Sequence, residues 1–148
     1  MPYDAIRERI DGIIPLNRTL GIEIAAVEDG RAVARLRFRP EVTNHLRLVH
    51  ATAIFGVAEA ASGCAIAGLF SAEATRLRSV TSAGSVNFVR PARSSLTAIA
   101  EVVSSPAALR EHFDLSGRMD VDVSVVVNDE SQLNIATALV KWNVSRRR

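Results

Sequence analysis

The sequence predicts an α+β fold in which one antiparallel sheet curves around one long central helix. Three observations carry this expectation. Residues 50–72 are rich in Ala and Gly and apolar nearly all round, the composition of a helix wrapped by other structure. Strand-like runs flank that segment, two before it and four after it. In the third of the later runs Val121, Val123, Val125 and Val127 alternate with period two, so that strand buries one face and shows the other to solvent.

The elements come in this order. Asp4 is placed to cap a short helix carrying Ile6, Ile10, Ile13 and Ile14 at helical spacing, and Pro15 is expected to stop it. Residues 22–27 read as a strand, Glu28-Asp29-Gly30 as a hairpin turn and residues 31–39 as the returning strand. In that second strand Leu36 and Phe38 alternate with Arg35, Arg37 and Arg39, which predicts an arginine row on the outer, solvent-facing side. Pro40 ends it, residues 41–49 form a loop, and the long helix comes next. The remaining strands are expected over 78–89, 96–105, 113–127 and 133–144, with a bulge near Ser116-Gly117 in the third and a turn at Asn128-Asp129-Glu130-Ser131.

Composition narrows the class. A chain of 148 residues suits a single domain over 1–148 with a sizeable core. At 48% hydrophobic and 23% charged residues it is expected to be globular. A net charge of +2, from 18 basic and 16 acidic residues, is too small to indicate a nucleic-acid partner. Lys141 is the sole lysine, so the basic groups are almost all planar guanidinium forks suited to phosphate and carboxylate. Cys64 stands alone, which excludes an internal disulfide and a cysteine-based metal site and fits a reducing, cytoplasmic setting. It has no histidine at helical spacing and reads as a small apolar core residue. His45 and His112 have no ligand-like partners, so no metal is expected. The start Met1-Pro2-Tyr3-Asp4 lacks a signal peptide's basic and apolar regions. The apolar stretch 51–70 approaches spanning length, but Glu59 near its middle points to a buried helix and no membrane span.

Chemistry concentrates where the loop Asn44-His45-Leu46-Arg47-Leu48-Val49 runs into His50-Ala51-Thr52 at the start of the long helix. Unpaired amides at a helix start favour negative charge. About two turns further on stands Glu59, an acid in an otherwise apolar helix. A reaction that builds an oxyanion would use the amides as donors and the carboxylate as base or nucleophile. Each residue also has a plainer reading: Asn44 as a turn former, His50 as a helix-start hydrogen bonder, Glu59 as a satisfied core acid. Ser62, one turn beyond Glu59, would either bond that acid or bond back to its own helix.

The spacing of Asn44, His50 six residues later and Glu59 nine residues after that resembles the PaaI-like hotdog acyl-CoA thioesterases, whose pattern is Asn, then His-Gly-Gly, then Asp or Glu. Ser85-Val86-Asn87-Phe88-Val89-Arg90-Pro91-Ala92 resembles their strand ending in a basic residue and Pro-Ala, and the likeness runs from about residue 15 to 144. It implies a hotdog fold and hydrolysis of an acyl-CoA thioester with no cofactor beyond the coenzyme A of the substrate. It also implies a homodimer, commonly a dimer of dimers, in which amide and acid serving one site come from different subunits. Carried over, the Ala51 amide binds the thioester carbonyl with help from Thr52, Glu59 activates water or attacks, Asn44 positions substrate or water, and His50 shapes the helix start. Arg47, Arg90 and Arg93 are the candidates for coenzyme A phosphates, and Ser62 for a supporting contact. His-Ala-Thr in place of His-Gly-Gly resembles an uncharacterised branch of that family and leaves a second expectation: a hotdog protein that binds acyl-CoA or a fatty acid without turning it over. A hotdog hydratase is disfavoured because the Pro-rich loop of the fatty-acid dehydratases is missing around His50.

Overall fold

The computed structural model describes residues 1–147. Two helices open the chain, α1 (Tyr3–Ile13) and α2 (Pro15–Leu20). Strands β1 (Ile22–Glu28) and β2 (Arg31–Leu36) precede the long α3 (Ala51–Leu69). Then come β3 (Leu77–Phe88), β4 (Leu96–Val102), α4 (Pro106–Ser116), β5 (Arg118–Asp129) and β6 (Asn134–Arg146). The strands form one antiparallel sheet in the order β1-β2-β4-β5-β6-β3. Its inner face wraps α3, as the composition of residues 50–72 requires.

Small residues set the depth of that packing. A Cβ at Gly68 would stand 2.0 Å from the Glu28 carbonyl oxygen, and one at Gly63 would meet the Trp142 ring at 3.0 Å. The glycines therefore let α3 touch the β1–β2 turn and β6 directly. Alanines extend the same face, with Ala58, Ala61 and Ala65 fully buried. The Trp142 indole N–H donates to Ser62 Oγ at 2.9 Å, and that hydroxyl donates to the Glu59 carbonyl at 2.7 Å. Ser62 is thus a fully buried brace between helix and sheet, and the expectation that it contacts substrate is corrected.

Several boundaries differ from expectation for identifiable reasons. α1 ends before Pro15 as expected, but Pro15 also begins a further helix, α2: its missing N–H costs nothing in a helix's first turn. Residues 106–116 form α4, so the third later strand begins at Arg118 and not at 113, and no bulge falls at Ser116-Gly117. Pro106 sits in its first turn, Leu109 and Phe113 are buried one turn apart, and Gly117, at φ +67°, ends it in the left-handed conformation. The bulges lie instead within β1, β3 and β6. In the arginine row Arg35 and Arg37 are exposed as expected, but Arg39 turns back and donates to the Thr19 carbonyl, so it does not belong to the outer face.

α4 is tied down by two arginines. Arg110 forms a bidentate pair with Asp29 at 2.6 and 3.1 Å, joining α4 to the β1–β2 turn. Arg146 donates to both Glu73 oxygens at 2.9 and 3.1 Å and to Asp114 at 3.1 Å, with its guanidinium 5.0 Å from the centre of the Phe113 ring. The hydrogen bond from Arg146 holds the Glu73 carboxyl below the usual carboxylate range.

Gly68→Ala is expected to destabilise the fold by roughly 3 kcal/mol or more, the upper end of overpacking penalties, read by urea denaturation. Glu73 has a lower pKa folded than unfolded. Its stabilisation is therefore complete above the ordinary glutamate value of about 4.3 and is lost as pH falls from there through the folded-state value. The stability gap between wild type and Glu73→Gln, measured from pH 6 downward, is expected to close over that acid range.

Candidate functional site

The start of α3 is fixed by the loop before it. Thr43 and Val49 pair as an isolated bridge, and the Asn44 N–H donates to the Leu48 carbonyl at 2.8 Å. Inside that loop Asn44 Oδ1 accepts from the Leu46 and Leu48 amides at 2.9 and 3.2 Å. Arg47 completes the turn at φ +59°, a left-handed backbone that non-glycine residues seldom adopt. The loop is then stitched to its surroundings: the Val49 amide donates to the Ala92 carbonyl at 2.9 Å and the His50 amide to the Val42 carbonyl at 2.8 Å. The Val49 bond brings the Arg90-Pro91-Ala92 segment against the helix start.

His50 is the N-cap of α3, and its Nδ1 accepts from the Thr52 amide at 3.0 Å. The next amides are also taken, Ala53 and Ile54 both donating to the His50 carbonyl at 2.9 and 3.0 Å. Among the described residues the Ala51 amide has no acceptor. One first-turn donor is therefore singled out by the bonds around it, and Thr52 does not second it, because its amide is committed to His50.

Ala51 lines a cleft of about 300 Å³. Ile54, Leu48, Phe88 and Val89 make its walls apolar, while Asn44 and Arg90 are its polar groups. Arg90 Nη1 also donates to the Asn134 carbonyl at 3.2 Å, which steadies it at the rim. Of the sequence-predicted residues, then, Asn44, Ala51 and Arg90 meet in one cleft. Asn44 has spent its oxygen on the loop, so only its amide nitrogen remains free to face a ligand. Arg47 and Arg93 are exposed and lie outside the cleft lining, as does Thr52.

Glu59 stands apart from that cleft, two turns along α3. The expectation of a deeply buried acid is corrected: it is half-buried, and its Oε1 accepts from Thr81 Oγ1 on β3 at 2.8 Å. Among the described residues its other oxygen has no partner. Thr81 is the residue missed from sequence; it lies 22 positions from the acid, and no local pattern links them. Cys64 is buried, and desolvation pushes its thiol well above the ordinary range, as befits an inert core residue. Among the described residues no three His, Cys, Asp or Glu side chains gather into a group able to hold a metal.

The chain belongs to the family described as Domain of unknown function (DUF4442), which matches residues 5–144. No curated protein matches it in sequence. Solved structures share its fold. A Pseudomonas aeruginosa protein of unknown function, PA5026, described as a probable thioesterase, superposes with a TM-score of 0.83 at 18% identity, covering 99% of this chain and 97% of that one. The PaaI protein from the phenylacetic acid degradation operon of Escherichia coli gives 0.73 at 21% identity, over 95% and 90% of the two chains. Thioesterase HI1161 from Haemophilus influenzae gives 0.78 at 16% identity, over 99% and 92%. The fold is the hotdog fold, as the resemblance implies.

His50 acts on the helix start through its unprotonated Nδ1. His50→Ala is expected to cost about 1 kcal/mol, the usual loss of a side-chain cap, and His50→Asn, which restores an acceptor, to recover most of it in thermal unfolding.

Proposed function

We propose that this protein is a thioester hydrolase acting on acyl-CoA. The observation that carries the proposal is the unpaired Ala51 amide in a mostly apolar cleft, with its neighbour at Thr52 already capped by His50. An apolar acyl group fits such walls, and a single positioned backbone donor fits the thioester oxygen as it becomes an oxyanion. The likeness to structures described as thioesterases supports the same reading.

The acid completing the site is Glu59 of a second copy. β3 is the outermost strand, paired only with β6, and from Ser79 to Phe88 it carries no charge. A long, uncharged, exposed edge is a template for another strand. Phe88 lies three residues after Ser85, and Thr81 lies three ladder positions before Ser85 once the bulged Ser82 is set aside. Antiparallel pairing of two β3 strands about Ser85 therefore sets Thr81 opposite the partner's Phe88. Directly opposed residues share a face, so the Glu59 held by Thr81 comes to the cleft holding the partner's Ala51. The proposal thus includes a homodimer with shared sites, further pairing to a dimer of dimers, and a cytoplasmic setting in which the lone Cys64 stays reduced.

In the hydrolytic step water adds to the thioester carbon, Glu59 accepts its proton, and the Ala51 amide holds the oxyanion. Collapse breaks the C–S bond, and the thiolate takes a proton as coenzyme A leaves. If the carboxylate attacks instead, an acyl-enzyme anhydride forms and water cleaves it, giving the same products. The Thr81 hydrogen bond holds one carboxylate oxygen and leaves the other for this work.

Across a panel of acyl-CoA esters, Glu59→Gln is expected to lower kcat at least about 100-fold, the usual contribution of a positioned base or nucleophile, with binding of a non-hydrolysable analogue kept. Equal turnover by wild type and variant would overturn the mechanism. Tight acyl-CoA binding with no thiol release by wild type would select the binding-only alternative, which the Ala51 methyl at the cleft motivates. A stable monomer in sedimentation at assay concentration would remove the shared site.

A further inference from the structure

On the sheet face opposite α3, far along β3 from the thioester cleft, three strands build a second cleft of about 350 Å³ that the proposed hydrolysis does not use. Arg78 on β3 and Arg118 on β5 both pair with Ser145 on β6, so the three lie in one row across the sheet. Val144 beside Ser145 is fully buried against the core, so Ser145 and its two partners point outward together. Strand spacing puts the two arginine backbones about 10 Å apart with the serine hydroxyl between them. Guanidinium groups reaching inward over that span leave room for one tetrahedral anion or two linked ones.

Both arginines are uncommitted: among the described residues neither side chain makes a hydrogen bond or ion pair, and the Ser145 hydroxyl is likewise free. Nearby acids are occupied elsewhere. Asp120 accepts from Asn143 Nδ2 at 2.8 Å, while Glu73 and Asp114 are bound by Arg146, the third arginine of the cleft. Two unspent planar forks flanking a hydroxyl in a concave surface match the oxygens of a phosphate in geometry and charge.

We propose that the cleft formed by Arg78, Ser145 and Arg118 binds the phosphate groups of a phosphomonoester or diphosphate ligand. The site is independent of Glu59 and Ala51, and its existence does not rest on thioester hydrolysis. The ligand is either the phosphorylated nucleotide end of coenzyme A or a separate phosphate-bearing molecule; both present the same chemistry.

Inorganic pyrophosphate is the probe, titrated calorimetrically into the full chain at low and high salt. Wild type is expected to bind it saturably and more weakly as salt rises. Arg78→Gln/Arg118→Gln is expected to weaken binding at least about tenfold, as loss of charge-assisted bonds implies. Arg9→Gln/Arg35→Gln removes the same charge from exposed positions outside the cleft and is expected to bind as wild type does. No saturable binding by wild type, or equal loss in both double variants, would overturn the proposal. Because Arg78 and Arg118 hold nothing else in place, unchanged thermal unfolding separates lost binding from lost fold. Coenzyme A titrated into the same variants names the source. A parallel drop in its affinity assigns the cleft to the nucleotide end, and unchanged affinity assigns it to a separate phosphate ligand.

Discussion

Everything in this molecule depends on how closely α3 lies against the sheet. At Gly68 the helix backbone comes so near the Glu28 carbonyl that no side chain fits, and at Gly63 the Trp142 ring occupies the place of one. Interiors pack to crystal density, so such contacts locate the helix to within a fraction of a residue. The Trp142–Ser62 hydrogen bond then fixes its rotation, since a rotated helix would strand a buried indole N–H. With position and rotation set, the first turn meets the Arg90–Ala92 segment, and the Glu59 stripe meets β3. The chemistry at either end of α3 is a consequence of packing in its middle.

Much of the fold is legible in the sequence because its strongest signals are local. The apolar length of α3, the period-two valines of β5 and the Glu28-Asp29-Gly30 turn each report a structure made within a few residues. The two stretches that depart from expectation are instructive in physical terms. Pro15 and Pro106 are each compatible with a stop or a first helical turn, and only the residues after each proline decide between them. After Pro106 the signals for a helix are present, with Leu109 and Phe113 one turn apart and Gly117 behind them. The valine alternation of β5, extended too far back along the chain, masks them. Arg39 departs for another reason: its alternation is correct, but a carbonyl at Thr19, distant in sequence, draws the guanidinium round.

The candidate site divides along the same line. The helix-start half is legible, since Asn44 and His50 bond to residues two to four positions away and Ala51 is the amide those bonds leave unpaired. Their detailed roles are not. Sequence spacing does not reveal that His50 consumes the Thr52 amide, or that Asn44 turns its oxygen into its own loop. Thr81 is invisible for the same reason as the Arg39 contact, being a partner made by topology. For Ser62 the bond back to its own helix is the reading that holds, while its second partner, the Trp142 indole, is distant in sequence and made by topology.

The edge strand β3 makes these separate facts into one arrangement. Its inner face touches Glu59 through Thr81 near mid-strand and lines the Ala51 cleft through Phe88 at its end. In one chain the two halves are separated by the span between those contacts, too far to act on one atom. In the proposed dimer a two-fold axis at Ser85 exchanges these two contacts, so the distance that separates the halves within a chain would bring them together between chains. Gly84 lies beside that axis with the Phe55 ring against it, 2.8 Å from where a Cβ would be. A bulky residue there would push the ring or the strand out of line. The bulge between Thr81 and Ala83 matters equally. Strand faces alternate, so Thr81 and Phe88, seven positions apart, point inward together only because one extra residue intervenes. An edge uncharged from Ser79 to Phe88, a ring seated on a glycine and a bulge of one residue are local features with separate causes. They share the result that, in the proposed dimer, both halves of the site are presented on one face, at reciprocal distances from one axis.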